Sequence, residues 1–174
     1  SLDHENSTNT NRAESSVFLV DGERTKATTL QEMQGKTVVT SKEFGLSGLA
    51  SLLSTIAEQL KVKPDNFFKD ILYVPANISD VLRTLKEGKA DLAVVPACSL
   101  ERYSQQTADD TGWLRILLPR QDESLSCMHS AAPFPGITVI SMPSLSPYES
   151  KTITTALLSM DETDGMTWGV ATDF

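Results

Sequence analysis

The loop at residues 41–48 joins a predicted strand to the first turn of a predicted helix, and its residue types suit anion binding. At a helix start, unpaired backbone N–H groups and the positive end of the helix dipole attract negative charge. Ser41, Gly45, Ser47 and Gly48 would form this site, because the glycines let an anion approach the backbone closely. The alternative interpretation is that Ser47 caps the helix and the glycines only form a turn. The spacing matches neither the phosphate loop of nucleotide hydrolases nor the dinucleotide fingerprint, so no nucleotide is predicted.

Two further polar side chains, Asn77 and Ser99, follow predicted strands at the points where helices begin. Ligands of open α/β sheets collect at the carboxyl ends of the strands. We therefore predict that both side chains can form hydrogen bonds to a ligand there. Both residue types are also common helix caps, so capping is the alternative interpretation for each of them.

The two cysteines both follow predicted strands, so they could lie at the same edge of the sheet. Cys98 and Cys127 would stabilise the fold by about 3 to 4 kcal/mol if they form a disulfide, on the chain-entropy estimate. They could instead be two separate buried thiols, or a pair that senses redox state or sulfur oxyanions by thiol exchange. A hydrolase with Cys127 and His129 as nucleophile and base is not predicted, because no third group orients the histidine.

Composition excludes several classes of function. The chain has 174 residues and a formal net charge of -8, and its 15 Lys and Arg residues are scattered along it, which argues against a nucleic-acid partner. Only two histidines, His4 and His129, are present, so neither a metal site nor any other cofactor is predicted. No run reaches the 18 or more apolar residues of a membrane span.

Hydrophobic periodicity predicts an α/β domain of three layers, with a mostly parallel sheet of about five strands and helices on both faces. Residues 1–15 are polar and are predicted to be a flexible leader, followed by a single lobe at residues 16–174. Strand segments are predicted at residues 17–20, 36–40, 70–74, 92–95, 113–118 and 137–141. Helices are predicted at residues 49–60, 81–87 and 147–160, with a short one starting at residue 100. We expect Ser79 and Asp80 to cap the second helix, and Ile153 and Ala156 to lie on the buried side of the last.

Several short motifs follow one another in a specific order along residues 17–174. They are Val17-Phe18-Leu19-Val20, Leu30 followed by Gly35-Lys36, Phe44-Gly45 with Ser47-Gly48, Leu85 followed by Gly88 and Ala90-Asp91, and Phe134-Pro135-Gly136. Together they resemble the phosphonate/phosphate-type periplasmic substrate-binding proteins. Residues 96–101 (PACSLE) and 168–174 (WGVATDF) are most similar to versions that serve as sensor domains of membrane histidine kinases, including tetrathionate sensors.

This resemblance implies the fold of a type II periplasmic binding protein, in which two hinged lobes hold the ligand between them. The chain has about the length of one lobe with its hinge strands, so we expect the partner lobe to be absent or incomplete. The turn at Gly45, Ser47 and Gly48 would then be half of an anion site, with Asn77 facing it. The turn at residues 43–47 is less rich in Ser and Thr than in the transporter versions, which weighs against phosphonate itself.

The predicted function is non-catalytic recognition of a small anionic solute by the extracytoplasmic sensor domain of a two-component histidine kinase. The domain would lie in the periplasm, and only the rest of the full-length protein would contact the membrane. A homodimer is left open. The main alternative is the substrate-binding protein of a phosphonate/phosphate-type ABC transporter. The effector domain of a cytoplasmic transcription regulator has a related lobe plan, and an enzyme would need a catalytic constellation that the sequence does not show.

Overall fold

A five-stranded sheet forms the centre of the fold. The computed structural model describes residues 13–121, 125–135 and 144–158. The strands of the central sheet are β2 (Ser16–Asp21), β3 (Thr37–Thr40), β4 (Asp70–Tyr73), β5 (Leu92–Pro96) and β6 (Leu114–Leu117), and a separate two-stranded ribbon pairs β1 (Ala13–Glu14) with β7 (Phe134–Pro135). The helices are α1 (Leu49–Leu60), α2 (Ile78–Lys86), α3 (Ser99–Gln106) and α4 (Pro147–Leu158), and short 3-10 helices span Gln31–Met33 and Lys42–Ser47.

The strand order in the central sheet is β4-β3-β5-β2-β6. Strand β3 runs parallel to both β4 and β5, whereas β2 runs antiparallel to both β5 and β6. The sheet is therefore mixed, and the prediction of a mostly parallel sheet is only partly right. An unbroken apolar run indicates a strand that is covered on both faces, and it looks the same whichever way the neighbouring strands run.

Two hydrophobic clusters on opposite faces of the sheet produce the three predicted layers. Side chains of successive strand residues point to opposite faces, so Phe18 packs with Leu52 of α1 in one cluster. Its neighbour Leu19 packs with Leu85 of α2 in the other cluster, which also includes Tyr103 of α3. All five side chains are buried. The predicted placement of helices on both faces of the sheet is confirmed.

The start of the domain differs from the sequence-based expectation. Ala13 and Glu14 form β1, and Ser15 is buried, so these three residues are part of the folded unit and not of a flexible leader. Residues 1–12, which make up the rest of that predicted leader, lie outside the described residues. Polar composition predicted the leader, but pairing with a distant strand can order a polar segment.

The last part of the chain also differs from the prediction. The predicted strand at residues 137–141 lies outside the described residues, as does the end of the predicted final helix. Helix α4 forms where expected, but Ile153 is 44% exposed and Ala156 is exposed too, so their predicted burial is wrong. Periodicity shows where the apolar residues of a helix lie, not what packs against them. None of the described helices combines the length and apolar character that a membrane span would need.

Candidate functional site

The predicted site residues lie at one edge of the central sheet, which we call the carboxyl edge. It is formed by the ends of β3, β4 and β5, where Thr40 pairs with Tyr73, and by the start of β2. Because β2 runs antiparallel to β5, Ser16 at its start pairs with Pro96 at the end of β5. The entry of β2 therefore lies beside the loops that follow the parallel strands.

Residues 42–47 form two short 3-10 turns that meet at a kink at Gly45, and local hydrogen bonds hold both turns. Ser41 is buried, and its hydroxyl accepts a hydrogen bond from the amide of Glu43 at 3.3 Å. Gly45 has φ 55° and ψ -129°, a conformation that side chains strongly disfavour, and no atom lies within 4 Å of the position a Cβ would take. Ser41 thus supports the loop, and Gly45 leaves open space above it.

Ser47 and Gly48 are held by close contacts. The Ser47 hydroxyl donates to Oε2 of Glu14 at 2.9 Å, and the Ser47 carbonyl accepts from the Ser16 hydroxyl at 2.7 Å. A Cβ on Gly48 would lie 3.1 Å from Cβ of Phe44 and 3.3 Å from the Ser41 carbonyl oxygen, so a side chain at this position would force its neighbours to shift. The proposed role of Ser47 as a cap of α1 is wrong, because α1 begins at Leu49, its N-cap residue is Gly48, and no side chain caps it.

The start of α1 therefore offers backbone amides to a ligand. The first amides of a helix have no carbonyl partner inside the helix and carry partial positive charge. Leu49 is half-buried and Ala50 is exposed, so this helix start reaches the surface. The Lys42 ammonium lies 5.0 Å from the centre of the Tyr73 ring and adds a full positive charge to the same loop. Both features attract negative charge, and neither of them involves a metal.

Asn77 and Ser99 make local hydrogen bonds of the kind that caps make. The Asn77 side chain accepts from the amide of Ser79 at 2.9 Å and caps α2, a role that the sequence had suggested for Ser79 and Asp80. Asn77 is nevertheless exposed at the carboxyl edge. The Ser99 hydroxyl donates to the carbonyl oxygen of Pro96 within the turn that precedes α3. Both residues lie at the expected edge, but their side chains form hydrogen bonds with nearby backbone groups.

Cys98 and Cys127 form a disulfide with their Cα atoms 5.2 Å apart. Cys98 has a positive φ of 63° at the start of α3, and Cys127 is buried. The bond therefore ties residues 125–131 to the carboxyl edge. His129 is fully buried, and its Nδ1 lies 3.4 Å from the carbonyl oxygen of Cys127. With its sulfur in a disulfide, Cys127 cannot act as a nucleophile in this state.

Three residues that shape this edge were not predicted from the sequence: Glu14, Ser16 and Lys42. Glu14 was assigned to the leader, and Ser16 comes close to Ser47 only because β2 enters the sheet at this edge. Lys42 was part of the predicted loop but was given no role. Its charge next to the glycines was a signal in the sequence that could have identified it.

Other features of the described residues do not compete with this site. Within residues 13–121, 125–135 and 144–158, no cluster of three or more His, Cys, Asp or Glu side chains could hold a metal ion. A surface cavity of about 380 Å³ is lined by residues 64–71 and Leu53. It lies beside the start of β4, at the opposite edge from the loop at residues 41–48.

The chain matches one protein family over most of its length. The family described as "ABC transporter, phosphonate, periplasmic substrate-binding protein" matches residues 5–168. No curated protein sequence matches the chain.

Several solved structures are similar in fold. The periplasmic aliphatic sulphonate binding protein SsuA from Escherichia coli is 17% identical with a TM-score of 0.43, over 61% of this chain and 32% of that one. The GluR0 ligand-binding core from Nostoc punctiforme in complex with (L)-glutamate is 22% identical with a TM-score of 0.42, over 88% and 57%. An ancestral arginine-binding protein bound to arginine is 19% identical with a TM-score of 0.41, over 62% and 42%. The chain thus spans less than two thirds of the length of each of these structures. Their TM-scores are below 0.5, so the family of this chain is inferred from the match over residues 5–168 alone.

Proposed function

The chain belongs to the phosphonate-type family of periplasmic substrate-binding proteins of ABC transporters, and from this premise we propose that it binds a small anionic solute at its carboxyl edge. Members of this family are non-enzymatic solute-binding proteins that work outside the cytoplasm. The observation that carries the anionic preference is the uncapped start of α1, directly after Gly48. The solute would take the place of the missing cap.

Several groups at the carboxyl edge have a defined part in this proposal. The first amides of α1 would donate hydrogen bonds to the anion, and Gly45, which has open space where a side chain would lie, would let it approach the backbone. Lys42 would supply long-range attraction from the exposed rim, which is weakened by salt. Asn77 would add a hydrogen bond from the side-chain nitrogen that its capping bond leaves free.

A pair of lysine variants tests the anionic preference. Lys42→Met removes the charge at the proposed site, while Lys86→Met removes a similar ammonium that lies over Trp113, near the far end of α2. Isothermal titration with phosphate, methylphosphonate, sulfate, thiosulfate and tetrathionate would identify a bound anion. We expect Lys42→Met to weaken its affinity about threefold to tenfold, and Lys86→Met to change it less than about twofold. The proposal is wrong if none of these anions binds, or if the two variants behave alike.

We also propose that this binding serves signalling, as the sensor domain of a membrane histidine kinase. Support comes from the resemblance of residues 96–101 and 168–174 to such sensors. In this proposal a second lobe closes over the solute at the carboxyl edge. A solute shifts the balance between open and closed forms by its differential affinity for the two, and that shift would be the signal.

The alternative role is solute delivery to a transporter, and the description of the family itself favours it. A deletion strain distinguishes the two roles, once a bound anion has been identified by titration. Loss of uptake of that anion would indicate a transporter component. Unchanged uptake together with loss of the transcriptional response to the anion would indicate a sensor.

A further inference from the structure

One contact at the proposed site joins it to a carboxylate of the protein itself. The Ser47 hydroxyl donates to Oε2 of Glu14 at 2.9 Å, and Ser47 is only 4% exposed. A serine hydroxyl has a single proton to donate. While Glu14 accepts that proton, Ser47 cannot donate it to a solute.

The charge of Glu14 strengthens the competition. None of the ion pairs seen in the described part of the chain includes Glu14; they join Arg24 to Asp21, Arg83 to Asp80 and Lys89 to Glu87. Its carboxylate therefore has no described cation within ion-pairing distance. An anion that approaches the start of α1 would meet this like charge at short range, where screening by salt is weak.

The position of Glu14 connects this contact to the two-stranded ribbon. Glu14 lies in β1 and pairs with Phe134 of β7, outside the central sheet. The next residue, Ser15, is anchored by its hydroxyl to the carbonyl oxygen of Ala131. Movement of Glu14 away from Ser47 would therefore act on the ribbon, whose strand β1 lies just before β2 of the central sheet.

We propose that Glu14 is a built-in competitor of the solute, an autoinhibitory contact that occupies Ser47 until an anion displaces it. This inference rests on the proposed function of the carboxyl edge and adds its regulation. A site that is free only part of the time binds with an apparent affinity lowered by the fraction of free site. Removing the charge of Glu14 should therefore tighten anion binding, whereas an ordinary ligand-contacting residue would weaken it when changed.

The test compares Glu14→Gln with Glu43→Gln in the full 174-residue chain. Gln has the size of Glu but no charge, so it accepts the Ser47 proton only through a weaker, neutral hydrogen bond and no longer repels an anion. Glu43 is exposed and lies four residues from Ser47, so Glu43→Gln removes one negative charge near the same serine without changing the contact between Ser47 and Glu14. Titration uses the five anions named above. We expect Glu14→Gln to bind about threefold to tenfold more tightly than the unchanged chain, and Glu43→Gln to gain less than about twofold.

The outcomes separate the two proposals. If the unchanged chain binds an anion and Glu14→Gln binds it equally or less tightly, the competitor role is wrong and the proposed function stands. An equal gain in both variants would also overturn the competitor role, because it would reflect the general field of the acidic chain. If neither the unchanged chain nor Glu14→Gln binds any of the anions, both proposals fall. Equal thermal unfolding midpoints of the unchanged chain, Glu14→Gln and Glu43→Gln would show that the differences in affinity do not come from a loss of folded protein.

Discussion

The hydroxyl of Ser16 donates a hydrogen bond to the carbonyl oxygen of Ser47 at 2.7 Å, across 31 residues of sequence. Ser16 is fully buried at the start of β2, and Ser47 ends the 3-10 helix that precedes α1. This bond holds the loop of the proposed site against the entry of the central sheet. The position of the loop thus depends on a strand that comes well before it in the chain.

Replacing Ser16 with Ala should destabilise the protein. The Ser47 carbonyl oxygen would lose the donor that Ser16 provides, which costs about 1 to 3 kcal/mol. Urea unfolding measures this free energy. Ser104→Ala is the matched control, because the exposed Ser104 hydroxyl also donates to a carbonyl oxygen, that of Leu100, and its loss should cost less than about 0.5 kcal/mol. If the two substitutions lower the free energy of unfolding equally, the buried hydrogen bond of Ser16 contributes no more to stability than the exposed one of Ser104.

Loss of the disulfide should destabilise the protein more strongly. Cys98 and Cys127 are 29 residues apart, and opening a loop of this size costs about 3 to 4 kcal/mol on the chain-entropy estimate. Urea unfolding with and without dithiothreitol measures the difference. A variant with both cysteines changed to Ala should show the lower stability and no response to dithiothreitol. Titration of two free thiols in the protein purified without reductant would contradict the disulfide.

Gly48→Ala should reduce stability and anion affinity together. The new Cβ would press on the Ser41 carbonyl oxygen and on Phe44, and would push the start of α1 away from the loop. Gly22→Ala is the matched control, because its Cβ would lie 3.2 Å from the Trp113 carbonyl oxygen at the other edge of the sheet. We expect each to cost about 1 to 3 kcal/mol in urea unfolding. Only Gly48→Ala should weaken anion binding, and an equal loss in both variants would contradict the location of the site.

The stability of the fold should fall in acid, in part because of Asp21. Burial raises the pKa of the Asp21 carboxyl, but hydrogen bonds from Arg24 and from the Glu23 amide outweigh it, so the pKa lies below its ordinary value. A lowered folded-state pKa stabilises the fold above the unfolded pKa of about 3.9, and this stability is lost as the pH falls through the folded-state pKa.

Asp21→Asn should remove that part of the pH dependence. Urea unfolding measures the free energy of unfolding between pH 7 and pH 2.5. This free energy should decrease less in acid for Asp21→Asn than for the unchanged chain. The matched control is Asp65→Asn, at an exposed aspartate. Its free energy of unfolding should decrease in acid as much as that of the unchanged chain. If the free energy of unfolding of Asp21→Asn decreases in acid as much as that of the unchanged chain, Asp21 does not contribute to the pH dependence of stability.

Local patterns were sufficient to predict most elements. Helix α1 was predicted at residues 49–60 and forms over Leu49–Leu60, because its apolar residues repeat at helical spacing. Strand β5 was predicted at residues 92–95 and extends by one residue to Pro96. The direction of β2 was not predictable in this way, since apolar runs carry no information about the direction of neighbouring strands.

The sequence by itself determined that a loop with Gly45 and Gly48 precedes a helix, and that this helix starts at a strand end. Local propensity and periodicity are properties of neighbouring residues, and they suffice for such features. Only the tertiary structure decided that Glu14 and Ser16 would meet Ser47, 33 and 31 residues away. That meeting follows from the antiparallel entry of β2, which is selected by burial of both faces of the sheet and by pairing with β5 and β6.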